Sequence, residues 1–433
     1  MFNSFAQPKQ RLNANEHKDS IKPLLSAQAF CVWTYFFSKD PLENEIIVKI
    51  DPRKNSNARC SECGTTSPIY DTLKKPRRFE FIPMWGYLIF FLYCPRRVSC
   101  KKCKKVKVEE LPWANKGSSI TKPYKVYLAM WAKRMSWKET AEAFQSTWHH
   151  VYESVKSVVE YGLENRSLKG VEAIGVDEVQ WRKGHDYMTL VYQIDQGARR
   201  LLHVSEKRRV KSLLKFFRMI GEKRSTQIKY VCSDMWKPYL KVIKKKIPNA
   251  LHILDRFHIV ANLNKALNEV RASEARKMRE EGYQDILKNS KYCFLKNAEN
   301  RTQKQKLKLK DILEYDLKSV RAFLLKESFQ LFWNYSSPYW AAWYLDIWCK
   351  RAMRSRLEPF KKFAKSMRRH QPLILNYFKA KKQFSSGVVE GLNRKVNLTT
   401  RKAYGFKTFK NLEIALYHTM GELPEPKSTH CFF

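Results

Sequence analysis

Long apolar runs and acidic side chains are both scarce in this chain of 433 residues. The longest apolar stretch, MWGYLIFFLYC from Met84, covers about half of the roughly 20 residues that a bilayer-spanning helix requires, which excludes such a span. The opening segment, MFNSFAQPKQRLNANEHKDS, lacks the apolar core of a signal peptide, and no solenoid or propeller period recurs. These absences point to a soluble, cytoplasmic chain. Asp and Glu number 41 against 83 Lys and Arg, a formal charge of +42. The excess runs from end to end and calls for a polyanionic partner. Nucleic acid suits it better than an anionic membrane surface, because Lys and Arg contacts to phosphates release counterions and supply most non-specific affinity.

Core material is plentiful. With 44% hydrophobic and 13% aromatic residues, the chain is long enough for two or three domains. Up to about Leu111 it alternates apolar with basic residues around cysteine pairs, the pattern of short strands on a metal clip. From about Ser118 to Tyr161 it reads as helices. The first is TKPYKVYLAMWAKR, and the second, SWKETAEAFQ, opens with a capping box of Ser136 and Glu139. After the break STW a third helix runs HHVYESVKSVVEYG, and helix, short turn, helix is the spacing of a helix-turn-helix. From Glu172 the period changes to two, in EAIGVDEVQW, DYMTLVYQID and RLLHVSE, which predicts an antiparallel meander. An amphipathic helix, the strand IKYVCSD, a second helix and the strand NALHILD follow, the order of an RNase H-like α/β domain. From about Asn262 to Lys382 everything reads helical, and a final helix begins near Ser386.

Asp177 lies near the end of the first strand of that meander, in GVDE, and Asp234 at the end of the fourth strand, in VCSD. Neighbouring strand ends of this kind bring two carboxylates to one edge, as two-metal phosphoryl chemistry requires, and Mg²⁺ takes such hard oxygen ligands. Glu390 is the lone acid in VVEGLNRKVNLTTRKAYGF and the candidate for a third ligand, from a helix crossing the edge. On that helix it shares a face with Asn393, Arg394 and Asn397, while Val389, Leu392 and Val396 lie on another. A plainer account stays open: strand-end aspartates cap the helices that follow, and Glu390 pairs with Arg394 one turn on. Glu178, Asp186 and Asp195 lie close by in sequence, and the two aspartates sit where turns form. In LDRFHI, Asp255 and His258 are either a helix cap followed by a half-buried histidine, or a histidine held in one tautomer for work at the site.

Half of the ten cysteines fall between Cys60 and Cys103. Cys60 with Cys63, and Cys100 with Cys103, form two C-x-x-C pairs separated by 36 residues, the tetrahedral thiolate set of structural Zn²⁺. That gap exceeds the usual ribbon loop of about 15–20 residues, so a β-hairpin must extend between the pairs. Cys94 has no such partner, and Arg77, Arg78, Arg96 and Arg97 make the module a DNA-binding candidate. In the third helix His149, His150 and Lys156 suit solvent or phosphate, because adjacent residues on a helix point about 100° apart. The helical run of Trp340, Trp343, Tyr344, Ile347 and Trp348 is expected to pack the core of the insertion, with base stacking on flipped DNA as the alternative. The lysines around Lys304 to Lys310 suit a solvated face and a DNA track equally.

Taken together, GVDEVQWRKGHDYMTLVYQID, DMWKPYLKVIKKKIPNALHILDRFHIV and SSGVVEGLNRKVNLTTRKAYGF resemble the catalytic blocks of the bacterial ISL-three insertion-sequence family of DDE transposases. The resemblance takes in the cysteine pairs, Arg96 and Arg97, and the closing Tyr404-Gly405-Phe406. It implies a DDE triad of Asp177, Asp234 and Glu390 holding two Mg²⁺ or Mn²⁺ ions, with Asp255 and His258 as auxiliaries. It also implies Zn²⁺ on Cys60, Cys63, Cys100 and Cys103, and DNA contacts from Arg96, Arg97, Asn393, Arg394, Arg401 and Lys402. Asn397 and Thr400 stand where such transposases tend to carry lysine, which weakens DNA contacts there. The layout so implied is an N-terminal zinc-ribbon-like module (1–112), a helix-turn-helix (113–168), an RNase H-like α/β core (169–264), a large all-α insertion (265–384) and a catalytic helix with tail (385–433). The expected substrate is double-stranded DNA, the element's terminal inverted repeats and its target, bound by a homodimer or larger assembly near the bacterial nucleoid. Cleavage and strand transfer are the expected reactions, and no Ser or Tyr nucleophile motif stands out to suggest a covalent intermediate. A DNA-binding regulator that has lost catalysis, and a structure-specific nuclease of the same fold, are the rival functions.

Overall fold

Period-two alternation in the first part of the chain produces seven strands in the computed structural model, which describes residues 30–37, 44–84, 86–182, 184–284, 286–384 and 386–426. They are β1 (Phe30–Phe37), β2 (Glu45–Pro52), β3 (Ile69–Thr72), β4 (Arg77–Met84), β5 (Tyr87–Tyr93), β6 (Arg96–Cys100) and β7 (Lys105–Val108). One sheet has the order β1-β2-β5-β4 and a smaller one β3-β6-β7. The gap between the cysteine pairs thus holds the antiparallel β4–β5 hairpin, in which Met84 faces Tyr87. Trp113 fills the centre of the larger sheet's core, its ring 4.8 Å from Phe30 and 5.4 Å from Tyr93.

Beside that core lies a buried polar knot. Glu109 accepts hydrogen bonds from the Tyr93 hydroxyl at 2.5 Å, from the Arg96 backbone N–H at 2.8 Å, and from Arg96 Nε and Nη2 at 2.9 and 2.7 Å. Arg96, expected at a DNA surface, is therefore buried instead, because its guanidinium neutralises the charge of a carboxylate that is itself buried. Arg97 stays half-exposed, paired with Asp71 and stacked 5.6 Å from the Tyr70 ring centre.

Three helices follow: α1 (Lys122–Ala132), α2 (Trp137–Ala143) and α3 (Trp148–Asn165). The capping box of Ser136 and Glu139 forms as expected, and Gln145 turns the chain between α2 and α3 with φ of 50°. His150, expected at solvent, is drawn in between Ser119 Oγ at 3.1 Å and Ser146 Oγ at 3.2 Å.

The meander appears as β8 (Ala173–Gln180), β9 (Tyr187–Gln193) and β10 (Leu201–Glu206), with helix α4 (Val210–Ile220), strand β11 (Tyr230–Ser233), helix α5 (Lys237–Lys246) and strand β12 (Leu251–Leu254) after it. Their sheet has the order β10-β9-β8-β11-β12, antiparallel among the first three strands and parallel from β8 to β12. That is the strand order of an RNase H-like core. Ile174, Val176 and Val231 pack one face of the sheet under α4 and α5. The opposite face receives α11 (Ser386–Lys402) and α12 (Phe409–Met420).

Between β12 and α11 the chain is helical: α6 (Arg256–Glu280), α7 (Gln303–Leu313), α8 (Lys318–Gln330), α9 (Pro338–Arg354) and α10 (Glu358–Lys379), with short helices at Lys291–Leu295, Ala298–Asn300 and Leu331–Asn334. α10 is tied to the sheet where Asn376 donates to the His252 carbonyl at 2.7 Å. Trp348 is buried as expected, whereas Trp340 and Trp343 are exposed, because they lie on the side of α9 that faces away from α10. No helix among the described residues is long and apolar enough to cross a membrane.

The polar knot yields a stability prediction. Glu109→Ala leaves a buried guanidinium unpaired and is expected to destabilise the N-terminal region by about 3–5 kcal/mol, read as a shifted urea transition followed by tryptophan fluorescence. An unchanged midpoint would show that Arg96 reaches solvent.

Candidate active site and thiolate cluster

Parallel register places the acids. Tyr230, Val231 and Cys232 of β11 stand opposite Ala173, Ile174 and Gly175 of β8, and the same β11 residues stand opposite Leu251, His252 and Ile253 of β12. Carrying that register two residues on puts Asp177, Asp234 and Asp255 level across three adjacent strands, at the point where β11 and β12 stop and β8 runs on to Gln180. Side chains alternate along a strand, so all three share the face of Gly175, on which α11 packs. Gly175 is required there: a Cβ at this position would lie 2.5 Å from Val389 Cγ2.

Helix α11 is thereby held so that its next turn meets Asp177. Asn393 donates from Nδ2 to Asp177 Oδ2 at 2.6 Å and accepts from the Tyr192 hydroxyl at 2.8 Å. Asn393, expected to face DNA, is instead committed to orienting a carboxylate. Glu390 sits one turn earlier and accepts a hydrogen bond from Arg394 at 2.7 Å, the plainer account of this pair. Its side chain is 36% exposed and that of Arg394 78%. Arg401 is exposed in the last turn, and Lys402 is half-buried, donating to the Lys133 carbonyl at 3.2 Å.

Both accounts of the D-x-x-H element hold in one geometry. Asp255 caps α6 by accepting from the Phe257 N–H at 2.6 Å, and its other oxygen meets His258 Nδ1 at 2.8 Å. That hydrogen bond, with the further charges of Asp177 and Asp234, holds the His258 imidazole up to about 9, so the ring is cationic at neutral pH. Burial meanwhile raises Asp177 above the usual carboxylate range.

Two further members join the cluster: Glu178, visible in the sequence only as a neighbour of Asp177, and Arg208, which carried no sequence signal. Glu178 points to the opposite sheet face by strand alternation, yet beyond the last residue of β11 it meets Arg208 and so joins the cluster. Burial lifts its carboxyl to about 7, with the charge of Asp234 adding to the effect. Arg208, in the turn before α4, bonds Asp234 Oδ2 at 3.0 Å and lies 3.2 Å from Glu178 Oε1 without a hydrogen-bonding angle. It is therefore hydrogen-bonded to Asp234 and faces Glu178 as a charge alone. Asp186 and Asp195 stay in turns as expected, Asp195 accepting from Gln193 Nε2 at 2.9 Å.

The edge is thus a row of hard oxygen donors balanced by Arg208 and His258. Such donors fit a divalent cation, and the buried, unbonded Glu178 Oε1 marks unsatisfied acceptor capacity. Among the described residues no three of these groups close to within 4.8 Å of one another, so the carboxylates are aligned rather than gathered.

The thiols, by contrast, are gathered. The sulfurs of Cys60, Cys63, Cys100 and Cys103 all lie within 4.8 Å, with Cys63 to Cys100 at 3.4 Å and Cys60 to Cys103 at 4.0 Å. Ligands about 2.3 Å from a tetrahedral zinc stand about 3.8 Å apart, so the spacing fits that ion. Hydrogen bonds from Thr65 draw Cys63 down to about 6, while contact with Cys63 pushes Cys103 up to about 12. Only a cation allows all four to be thiolates together. Cys94 stands outside the set.

Two expectations follow. The purified protein should carry about one zinc per chain by elemental analysis, and Cys60→Ser should lose it; a metal-free, folded wild type would exclude the site. Gly175→Ala should impair any reaction at the sheet edge by displacing α11, and Gly175→Ala/Val389→Ala should recover it; failure of the double variant would show that the glycine serves another purpose.

Residues 174–416 match a family model described as transposase, a span that holds the whole acidic edge with α11. The transposase for insertion sequence element IS1001 of Bordetella parapertussis is 24% identical over 351 residues, covering 80% of this chain and 85% of that protein. The transposase for insertion sequence element IS1557 of Mycobacterium tuberculosis is 28% identical over 416 residues, covering 89% and 91%. With more than half of its length matched, the chain belongs to the ISL-three family of transposases.

Proposed function

We propose that this protein moves an insertion sequence by cutting DNA at the element's ends and joining the freed 3′ ends to a target, with Asp177, Asp234 and Glu390 as its metal-holding carboxylates. The observation that carries the reading is the level placement of Asp177 and Asp234 across adjacent strands, with the helix of Glu390 locked onto Asp177 through Asn393. Two Mg²⁺ or Mn²⁺ ions held there would supply Lewis acidity for the attacking water or 3′-hydroxyl and for the leaving oxygen.

The side chains do the remaining work. Asn393 fixes the rotamer of Asp177, and Asp255 fixes the ring of His258, whose proton then points at a phosphate arriving over the edge. Arg208 neutralises Asp234 and Glu178 before DNA arrives. Arg394 is exposed enough to exchange Glu390 for a phosphate, and Arg401 and Lys402 extend the same basic surface. The tyrosine that reaches the cluster, Tyr192, is fully buried with its hydroxyl donated to Asn393, so direct transesterification suits the site better than a covalent enzyme intermediate.

The modules before the core suit end recognition. The turn between α2 and α3 has the length of a helix-turn-helix, and the zinc-bearing module adds Arg77, Arg78 and Arg97. The boundaries proposed above divide these from the core and from the helical insertion. Synapsis of two ends requires a dimer or larger assembly on double-stranded DNA.

The test is cleavage and strand transfer on labelled DNA from the element's own ends, with Mg²⁺, with EDTA, and with Asp177→Asn, Asp234→Asn and Glu390→Gln. Each variant should lose joining by roughly three orders of magnitude or more, as groups that act as a unit do, while end binding changes little. Full activity in Glu390→Gln would leave that carboxylate as the partner of Arg394 alone. Hydrolysis without joining would indicate a nuclease, and binding without cutting a regulator.

A further inference from the structure

A groove of about 990 Å³ lies between α2, the start of α3, the last turns of α11 and one side of α12 from Asn411 to Met420. It is separate from the acidic edge. On α11, Lys395, Leu398 and Lys402 line it, roughly a third of a turn around the helix from Glu390, and Lys402 lies about 18 Å beyond Glu390 along the axis. At its other side it meets the N-terminus of α3, where a helix-turn-helix reads DNA.

Three features of its lining are independent of one another. The first is aromatic. Trp137 forms the wall, its ring 5.8 Å from Trp148 and 6.0 Å from Phe406. Tyr404 stands at the rim with its ring 96% exposed. Its backbone is held at φ of 53°, a conformation that side chains of its size disfavour, and Gly405 follows at 94°. The second is charge. Five lysines line the groove against two glutamates, and both glutamates are engaged, Glu139 by the Ser136 N–H at 2.7 Å and Glu142 by Lys138 at 3.6 Å.

The third is His418. It lines the groove, is 6% exposed, and neither of its ring nitrogens has a hydrogen-bond partner. Burial, with the charges of Lys133 and Lys402, pulls it down to about 3, so the ring is neutral and offers one donor and one acceptor. A wholly apolar occupant would leave those two atoms unsatisfied. A nucleobase has a π face for the aromatic wall, donors and acceptors on its edge for the imidazole, and flanking phosphates for the lysines.

We propose that this groove receives a base that has left the DNA stack near the transposon end, stacked on Tyr404 and Trp148 with its edge on His418, while Lys395, Lys402 and Lys407 hold the neighbouring phosphates. The proposal rests on the transposase reading and names a further binding site for the same DNA. By holding one nucleotide beyond the duplex, the groove fixes the register of the end relative to the acids.

The test uses the full-length protein and three sets of duplexes carrying the element's end: fully paired, with one unpaired base, and with the same unpaired nucleotide made abasic, moved stepwise past the cleavage site. At one position the protein should bind the unpaired base about tenfold more tightly than its abasic counterpart, in the range of a single base–aromatic stack. Tyr404→Ala should bring that ratio to about one while affinity for the paired end holds, and His418→Leu, which removes only the polar edge, should lower it severalfold. Equal binding of base and abasic DNA at every position by the wild type overturns the proposal. So does a Tyr404→Ala variant that keeps the ratio but changes the oligomeric state in light scattering, which would assign the groove to a second copy of the chain. A wild type that prefers no paired end over a scrambled duplex would overturn the transposase reading beneath it, a separate failure visible in the same measurements.

Discussion

Parallel register across β8, β11 and β12 brings like charges to one edge of the sheet, and much of the surrounding architecture answers that repulsion. Three aspartates level with one another, with Glu178 beside them, cannot all stay ionised in a partly buried cleft unless opposite charge or hydrogen-bond donors are supplied. The chain supplies them from three directions: His258 from the first turn of α6, Arg208 from the turn before α4, and Asn393 from α11. At Glu178 burial outweighs the nearby Arg208 charge, and with Asp234 adding to the effect the carboxyl rises to about 7. A site that concentrates negative charge this way inside a chain of net charge +42 is primed for cations at the edge and for polyanions around it.

Scarcity of acids makes the placement of each one informative. Glu109 is spent on a buried knot with Tyr93 and Arg96, close to the cysteine module, and holds the end of β5 against β6. The thiols beside it hold a small module whose own apolar cluster consists of Ala58, Cys60, Val98 and Cys100, too small a core to stand unaided. The same two effects, a buried ion pair and a gathered ligand set, therefore secure a region that hydrophobic burial alone would leave loose.

Helix α11 links the two candidate DNA sites through opposite demands on its faces. Val389 presses on Gly175 so tightly that no side chain fits between them, which fixes where Asn393 and Glu390 can reach. Around the helix, Leu398 and Lys402 open onto the groove with its unpartnered histidine. One rigid element thus sets the distance between the acidic edge and the groove, so a displacement of the helix is felt at both.

Much of this was legible in the residues. The change of period at Glu172, the position of Asp234 at the end of its strand, the capping box at Ser136 and the paired cysteines each follow from local spacing, and local geometry reproduces them; Asp177 instead lies three residues inside β8. The lone acid at position 390 was visible for its isolation among bases, although its ion pair with Arg394 was an equally available outcome. Other features depended on packing between distant segments, which no spacing encodes. Arg96 went inward because Glu109 did, Asn393 left the DNA-facing surface for Asp177, and Trp340 and Trp343 faced solvent because α10 covers only the other side of α9. Arg208 joined the acids only because the sheet folds its turn back onto their edge. The sequence by itself determined most of the elements, the family and the candidate acids; tertiary structure alone decided which charges meet, because pairing energies in a cleft depend on separations and burial that arise only when remote strands and helices close on one another.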